Sequence, residues 1–120
     1  MPSLREMRPT DVVKFSKYCV PKYVGVMVVE DGKDIGAGVI VWGDGNRAFL
    51  SLEISDELRK HPAFMHRVAK GLVKAGAETG ELYTIEDADE PTAPKWLERL
   101  GFRPTGELIN GERVLKWQPS

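Results

Sequence analysis

The sequence predicts an α/β fold: a central mixed, mostly antiparallel sheet with helices on both faces. Three observations carry this. Two apolar, β-branched runs and a third, alternating one follow one another between Tyr23 and Ser55 across short polar turns. Behind them, apolar residues repeat at helical spacing from Phe64 to Val73. The chain then closes on "APKWLERLGFRPTGELINGERVLKW", which reads as a short helix, a glycine stop and a hairpin. The resulting order is β-α-β-β-β-α-β-α-β-β.

Taken in order, Leu4 to Met7 suits a short first strand. Thr10 is a candidate N-cap, with Asp11 in the first turn and Val12, Phe15 and Cys19 at helical spacing behind it. Pro21 ends that helix. Val24–Val29 and Ile35–Trp42 pair across Asp31-Gly32, and Asp44-Gly45-Asn46 makes the next turn. In "RAFLSLEIS" Ala48, Leu50, Leu52 and Ile54 alternate with polar or larger neighbours, giving the third strand of a meander. Ser55 or Asp56 caps a first turn, and Pro62 opens the main helix, where a missing N–H costs nothing. Phe64/Met65, Val68/Ala69 and Leu72/Val73 form its sheet-facing stripe, and Gly76 is the expected stop. Glu81 to Glu86 is a strand, and Asp87 to Thr92 an acidic loop. Pro94 fits the first turn of a short helix whose apolar face is Trp96, Leu97 and Leu100, ended by Gly101. Phe102–Ile109 and Glu112–Trp117 pair across Asn110-Gly111. The helical crossover after Ile54 requires the strands on either side of it to lie parallel and adjacent.

The chain has 120 residues, enough for one domain with one core. Net charge is −1 with signs interspersed, so bulk charge points to neither nucleic acid nor membrane. One cysteine excludes an internal disulfide and fits a reducing compartment. No signal peptide is expected from Met1-Pro2-Ser3-Leu4-Arg5, and no run approaches the roughly 20 apolar residues of a membrane span. A cytoplasmic location is expected.

With these elements placed, "APKWLERLGF" resembles the closing motif of the GNAT (Gcn5-related N-acetyltransferase) family, through Ala93, Trp96, Glu98, Arg99, Leu100, Gly101 and Phe102. "REMRPTDVVKF" is similar to the family's opening, and the element order matches along nearly the whole chain. The resemblance implies an acetyl-CoA-dependent N-acetyltransferase acting on a small amine or peptide amine. It implies a cofactor lying where the fourth and fifth strands splay apart, with pyrophosphate at the start of the main helix. Three positions depart from the family pattern. "RKHPAFM" stands where a glycine-rich turn is expected, Leu97 occupies the place of a thiolate-protonating Tyr, and Glu90 replaces an Asn. Weak or absent acetyl-CoA binding is therefore expected. A narrower likeness, through "SDELRKH", small size and the C-terminal hairpin, is to GNAT-like proteins of tailed phages. It implies an alternative, a catalytically silent structural protein located in the virion.

On this reading Leu52 and Ile54 flank the cofactor, with backbone N–H groups near Ile54 on the thioester carbonyl. Arg59, Lys60, His61, Ala63 and Phe64 surround its phosphates. Glu53, opposite Leu52 and Ile54 on the strand, is the candidate base, against the plainer reading of a solvated strand residue. Tyr83 is the candidate replacement acid or else a packed aromatic. Glu86 and Asp87 are candidates for a cationic amine, or part of a hydrophilic loop. His61 and His66 have no Cys or carboxylate pattern around them that makes a metal site. The sequence leaves oligomeric state open, a homodimer included.

Overall fold

The computed structural model describes residues 2–12, 22–42, 47–78, 80–86 and 93–118. Its elements are β1 (Ser3–Glu6), α1 (Pro9–Val12), β2 (Tyr23–Glu30), β3 (Lys33–Trp42), β4 (Arg47–Ile54), α2 (Asp56–Arg59), α3 (Pro62–Ala77), β5 (Glu81–Ile85), α4 (Ala93–Leu100), β6 (Phe102–Ile109) and β7 (Glu112–Trp117). The strands form one seven-stranded sheet in the order β1-β2-β3-β4-β5-β7-β6. Only β4 and β5 pair in parallel among the described strands; the rest are antiparallel.

Local chemistry explains the boundaries. Asp31 and Gly32 both take positive φ, 53° and 76°, which suits the β2–β3 turn to the right-handed twist of its strands. Asn110 and Gly111 do the same for β6–β7, at 52° and 81°. The first helix starts at Pro9, one residue ahead of the expected cap Thr10, because Asp11 does the capping. Its carboxylate accepts the Arg8 N–H at 2.8 Å and the Arg5 guanidinium at 3.0 Å. Phe15, Cys19, Pro21 and the 44–46 turn lie outside the described residues. Gly76 does not stop α3, which runs on to Ala77. It is buried inside the helix, where a Cβ would meet Leu82 and Ile40, so its small size sets the helix–sheet distance.

Alternation along β3 sorts the two faces. Gly36, Gly38 and Ile40 look toward α2 and α3: a Cβ at Gly36 would strike Leu58, and one at Gly38 would strike Leu72. That close approach seats α3 on the sheet. The largest core cluster joins Ile40, Leu50 and Leu82 of the sheet to Leu72 of α3, Leu97 of α4, and Phe102. Helices α3 and α4 therefore share one face. On the opposite face Met7 covers Gly25 and packs with Met27, Ala37 and Val39. Among the described residues no helix is long and apolar enough to cross a membrane.

Candidate active site

The parallel ladder between β4 and β5 is short. It runs from Arg47 opposite Glu81 to Leu50 opposite Thr84 and stops there. Beyond it, among the described strands, β5 stays paired with β7 alone, the Glu86 N–H bonding the Arg113 carbonyl at 2.9 Å. The Thr84 hydroxyl donates to the Leu50 carbonyl at 2.8 Å, closing the last rung. Main-chain groups of alternate strand residues point to the same side, so those of Leu52 and Ile54 follow Leu50 in facing the gap. Glu53 faces β3 with its main chain and stands exposed on the other sheet face with its side chain, opposite Ala37.

A cavity of about 1080 Å³ opens at this divergence. Phe49 to Ile54 of β4 form one side, with Thr84 and Ile85 across the gap. The start of α3 (Pro62, Ala63, Met65, His66) and Arg59 at the end of α2 form a second wall. Lys95, Trp96, Leu97 and Arg99 of α4 form the third. No side chain caps α3, and Pro62 occupies its start, so its first-turn amides end the helix without a protein acceptor from a cap. Among the described lining residues the bases are Arg59, His66, Lys95 and Arg99, and the sole acid is Glu53. Arg59 is held by Asp56 at 2.9 Å. No described group of three or more His, Cys, Asp or Glu could hold a metal ion.

Of the residues singled out in the sequence, Leu52, Glu53, Ile54, Arg59 and Ala63 come together around this cavity. Others stand elsewhere. Lys60 is exposed outside the lining, and His61 Nε2 lies 2.9 Å from a Glu30 carboxylate oxygen. Phe64 turns inward, onto the small cluster of Val28, Ile35 and Leu58, with the Arg67 guanidinium 5.8 Å from its ring. Tyr83 belongs to the opposite face of β5 from Thr84. Its hydroxyl donates to Glu81 at 2.8 Å, and that bond to a carboxylate, with burial, raises the phenol pKa. The Arg47 guanidinium stacks 4.3 Å from its ring centroid, and Phe49 lies 5.8 Å away. Glu86 is occupied by Arg113 at 2.6 Å, and Asp87 lies outside the described residues.

Sequence reasoning missed Thr84, His66, Lys95 and Arg99. A signal existed for the last two: they sit four apart on α4, beside Trp96, so they share a helix face. Nothing in the sequence marks Thr84, whose role depends on which strand it faces.

A mixed sheet whose single parallel junction splays beneath the start of a long helix is the fold of the GNAT acetyltransferases. The likeness extends over nearly the whole chain. An IAA acetyltransferase from Bacillus cereus superposes with a TM-score of 0.70 at 11% identity, covering 98% of this chain and 99% of that one. The ribosomal-protein-S18-alanine N-acetyltransferase of Escherichia coli gives 0.68 at 13% identity over 97% and 91% of the two chains. The PaiA N-acetyltransferase of Thermoplasma acidophilum, solved in complex with coenzyme A, gives 0.65 at 14% identity over 91% and 67%. No family model matches the sequence, and no curated protein matches it. At these identities the likeness is one of fold.

Proposed function

We propose that the chain is an N-acetyltransferase which takes the acetyl group of acetyl-CoA into the β4–β5 gap and passes it to an amine. The observation that carries this reading is the divergence of β4 from β5 after Leu50 and Thr84. It leaves the strand-edge groups of Leu52 and Ile54 facing a large cavity. An extended, amide-containing arm can pair with such an edge as a further strand would. The net basic lining supports an anionic ligand.

In this reading both reactants are held together. The amine nitrogen attacks the thioester carbonyl, a C–N bond forms and the C–S bond breaks. An amide N–H at Leu52 or Ile54 stabilises the carbonyl oxygen as it gains charge. Glu53 accepts the amine proton, directly or through water. Tyr83 is an unsuitable acid, because its hydroxyl is committed to Glu81 outside the cavity and its proton is held more tightly than usual. The departing thiolate takes its proton from solvent, which a group with the ordinary thiol pKa near 8.5 can do.

The test is acetyl transfer from acetyl-CoA to a panel of small amines and peptide N-termini, followed by thiol release. Transfer at a rate that saturates in both reactants supports the enzyme. A chain that binds acetyl-CoA in none of these assays and releases no thiol would instead support the silent, structural alternative.

A further inference from the structure

We infer that the phosphate end of the CoA ligand is held by side chains of α4, Lys95 and Arg99, in place of a backbone turn at the start of α3. This rests on the acyl-CoA reading of the cavity. Three observations lead to it. First, the start of α3 is poorly made for close backbone contact. Pro62 has no N–H, and Ala63 and Met65 bring side chains into the cavity wall. Second, Lys95 and Arg99 line the same cavity from the facing helix, and neither has an ion-pair partner among the described residues. Third, two like charges one turn apart on a helix repel each other. That arrangement becomes favourable when both close on one polyanion, for which a guanidinium and an ammonium are suited donors. His66 on α3 and Arg59 at the end of α2 complete a basic rim around the opening.

The geometry makes the grip electrostatic and screenable, unlike one made by backbone amides in a closed turn. It also separates the two halves of the ligand. The pantetheine arm depends on β4, while the phosphates depend on α4.

The experiment titrates the full chain with coenzyme A and, separately, with pantetheine, which has the same arm without phosphates. Lys95→Ala/Arg99→Ala is compared with wild type and with Lys70→Ala, an exposed cation of α3 outside the cavity. Chemical-shift titration follows binding, and urea unfolding confirms that each variant is folded. The double variant is expected to bind coenzyme A about tenfold more weakly, because two exposed charge pairs are lost. Its pantetheine affinity and that of Lys70→Ala should match wild type, and its coenzyme A affinity should depend less on salt. If the double variant binds coenzyme A as wild type does, the inference fails while the acyl-CoA reading stands. Equal loss of both ligands in a folded variant would also overturn it, since α4 would then be shaping the cavity only. Wild type that binds no coenzyme A would overturn both.

Discussion

Thr84 and Leu50 are joined at the point where the sheet opens: the threonine hydroxyl donates to the leucine carbonyl at 2.8 Å, with Thr84 buried at 6% exposure. Leu50 opposite Thr84 is the last register pair of the parallel ladder, and the hydroxyl adds a side-chain bond to it where the two strands part.

Thr84→Val keeps the shape and removes this bond. It is expected to destabilise the protein by about 0.5–1.5 kcal/mol, the net contribution of one hydrogen bond. Thr84→Ser should recover most of the loss. Urea midpoints of the three proteins decide this, and equal midpoints for Thr84→Val and wild type would count against it.

Gly101→Val is expected to cost about 2 kcal/mol or more. Gly101 has φ of +109°, and a Cβ there would lie 2.8 Å from Trp117 Nε1. That nitrogen donates to the Leu100 carbonyl at 2.9 Å, while the Gly101 carbonyl accepts the Gln118 N–H at 2.9 Å. Strain and displacement of the helix stop therefore act together. Thermal unfolding of the variant, followed by circular dichroism, reads the effect.

Asp11 should make stability fall in acid. Its side chain is 4% exposed, and hydrogen bonds from the Arg5 guanidinium and then from the Arg8 N–H hold its carboxyl well below the usual range. A depressed folded pKa contributes stability that is fully present above the unfolded value, near 3.8. That contribution is lost as pH falls below this value toward the folded pKa. Asp11→Asn is expected to be less stable than wild type near neutrality and to show a shallower decline below about pH 4. Parallel curves for the two proteins would remove Asp11 from the account.

Glu53→Gln tests the proposed base. On the amine that wild type acetylates best, kcat is expected to drop about 100-fold at least, with KM for acetyl-CoA little changed. A variant with wild-type kcat would assign the proton to another group or to water.

Affinity for acetyl-CoA is expected to be low, with Kd on the order of 0.1 mM. Replacing two charge-assisted backbone donors at the start of α3 with Pro62 and side-chain-bearing neighbours removes about 3 kcal/mol, a factor of about 100. Lys95 and Arg99 return part of it. Calorimetry at physiological salt measures the result, and a low-micromolar Kd would show that tight binding needs no glycine there.

The strands, the main helix and the last helix-to-hairpin junction were all determined locally, and so were readable. Asp31-Gly32 and Asn110-Gly111 specify turns by their tolerance of positive φ. The stripe from Phe64 to Val73 specifies a helix by its period. The crossover after Ile54 requires a parallel neighbour, whereas the gap at Leu52 and Ile54 was implied by the family resemblance alone. Which side chains meet in the gap was decided only by the tertiary structure. Phe64 and Ala63 are neighbours in sequence, yet the helix sends one to the Val28 cluster and the other to the cavity wall. Tyr83 and Thr84 likewise part to opposite sheet faces, and only the threonine reaches the opening. His61 was expected at the phosphates and Glu86 at a cationic amine, but Glu30 and Arg113 come from distant strands to meet them. Lys95 and Arg99 carry no site signal of their own in the sequence, and the packing of α4 against the sheet brings both to the cavity wall. Period and turn chemistry act over a few residues. The direction of each side chain depends on the register of strands some 30 residues apart in sequence, as with Thr84 and Leu50.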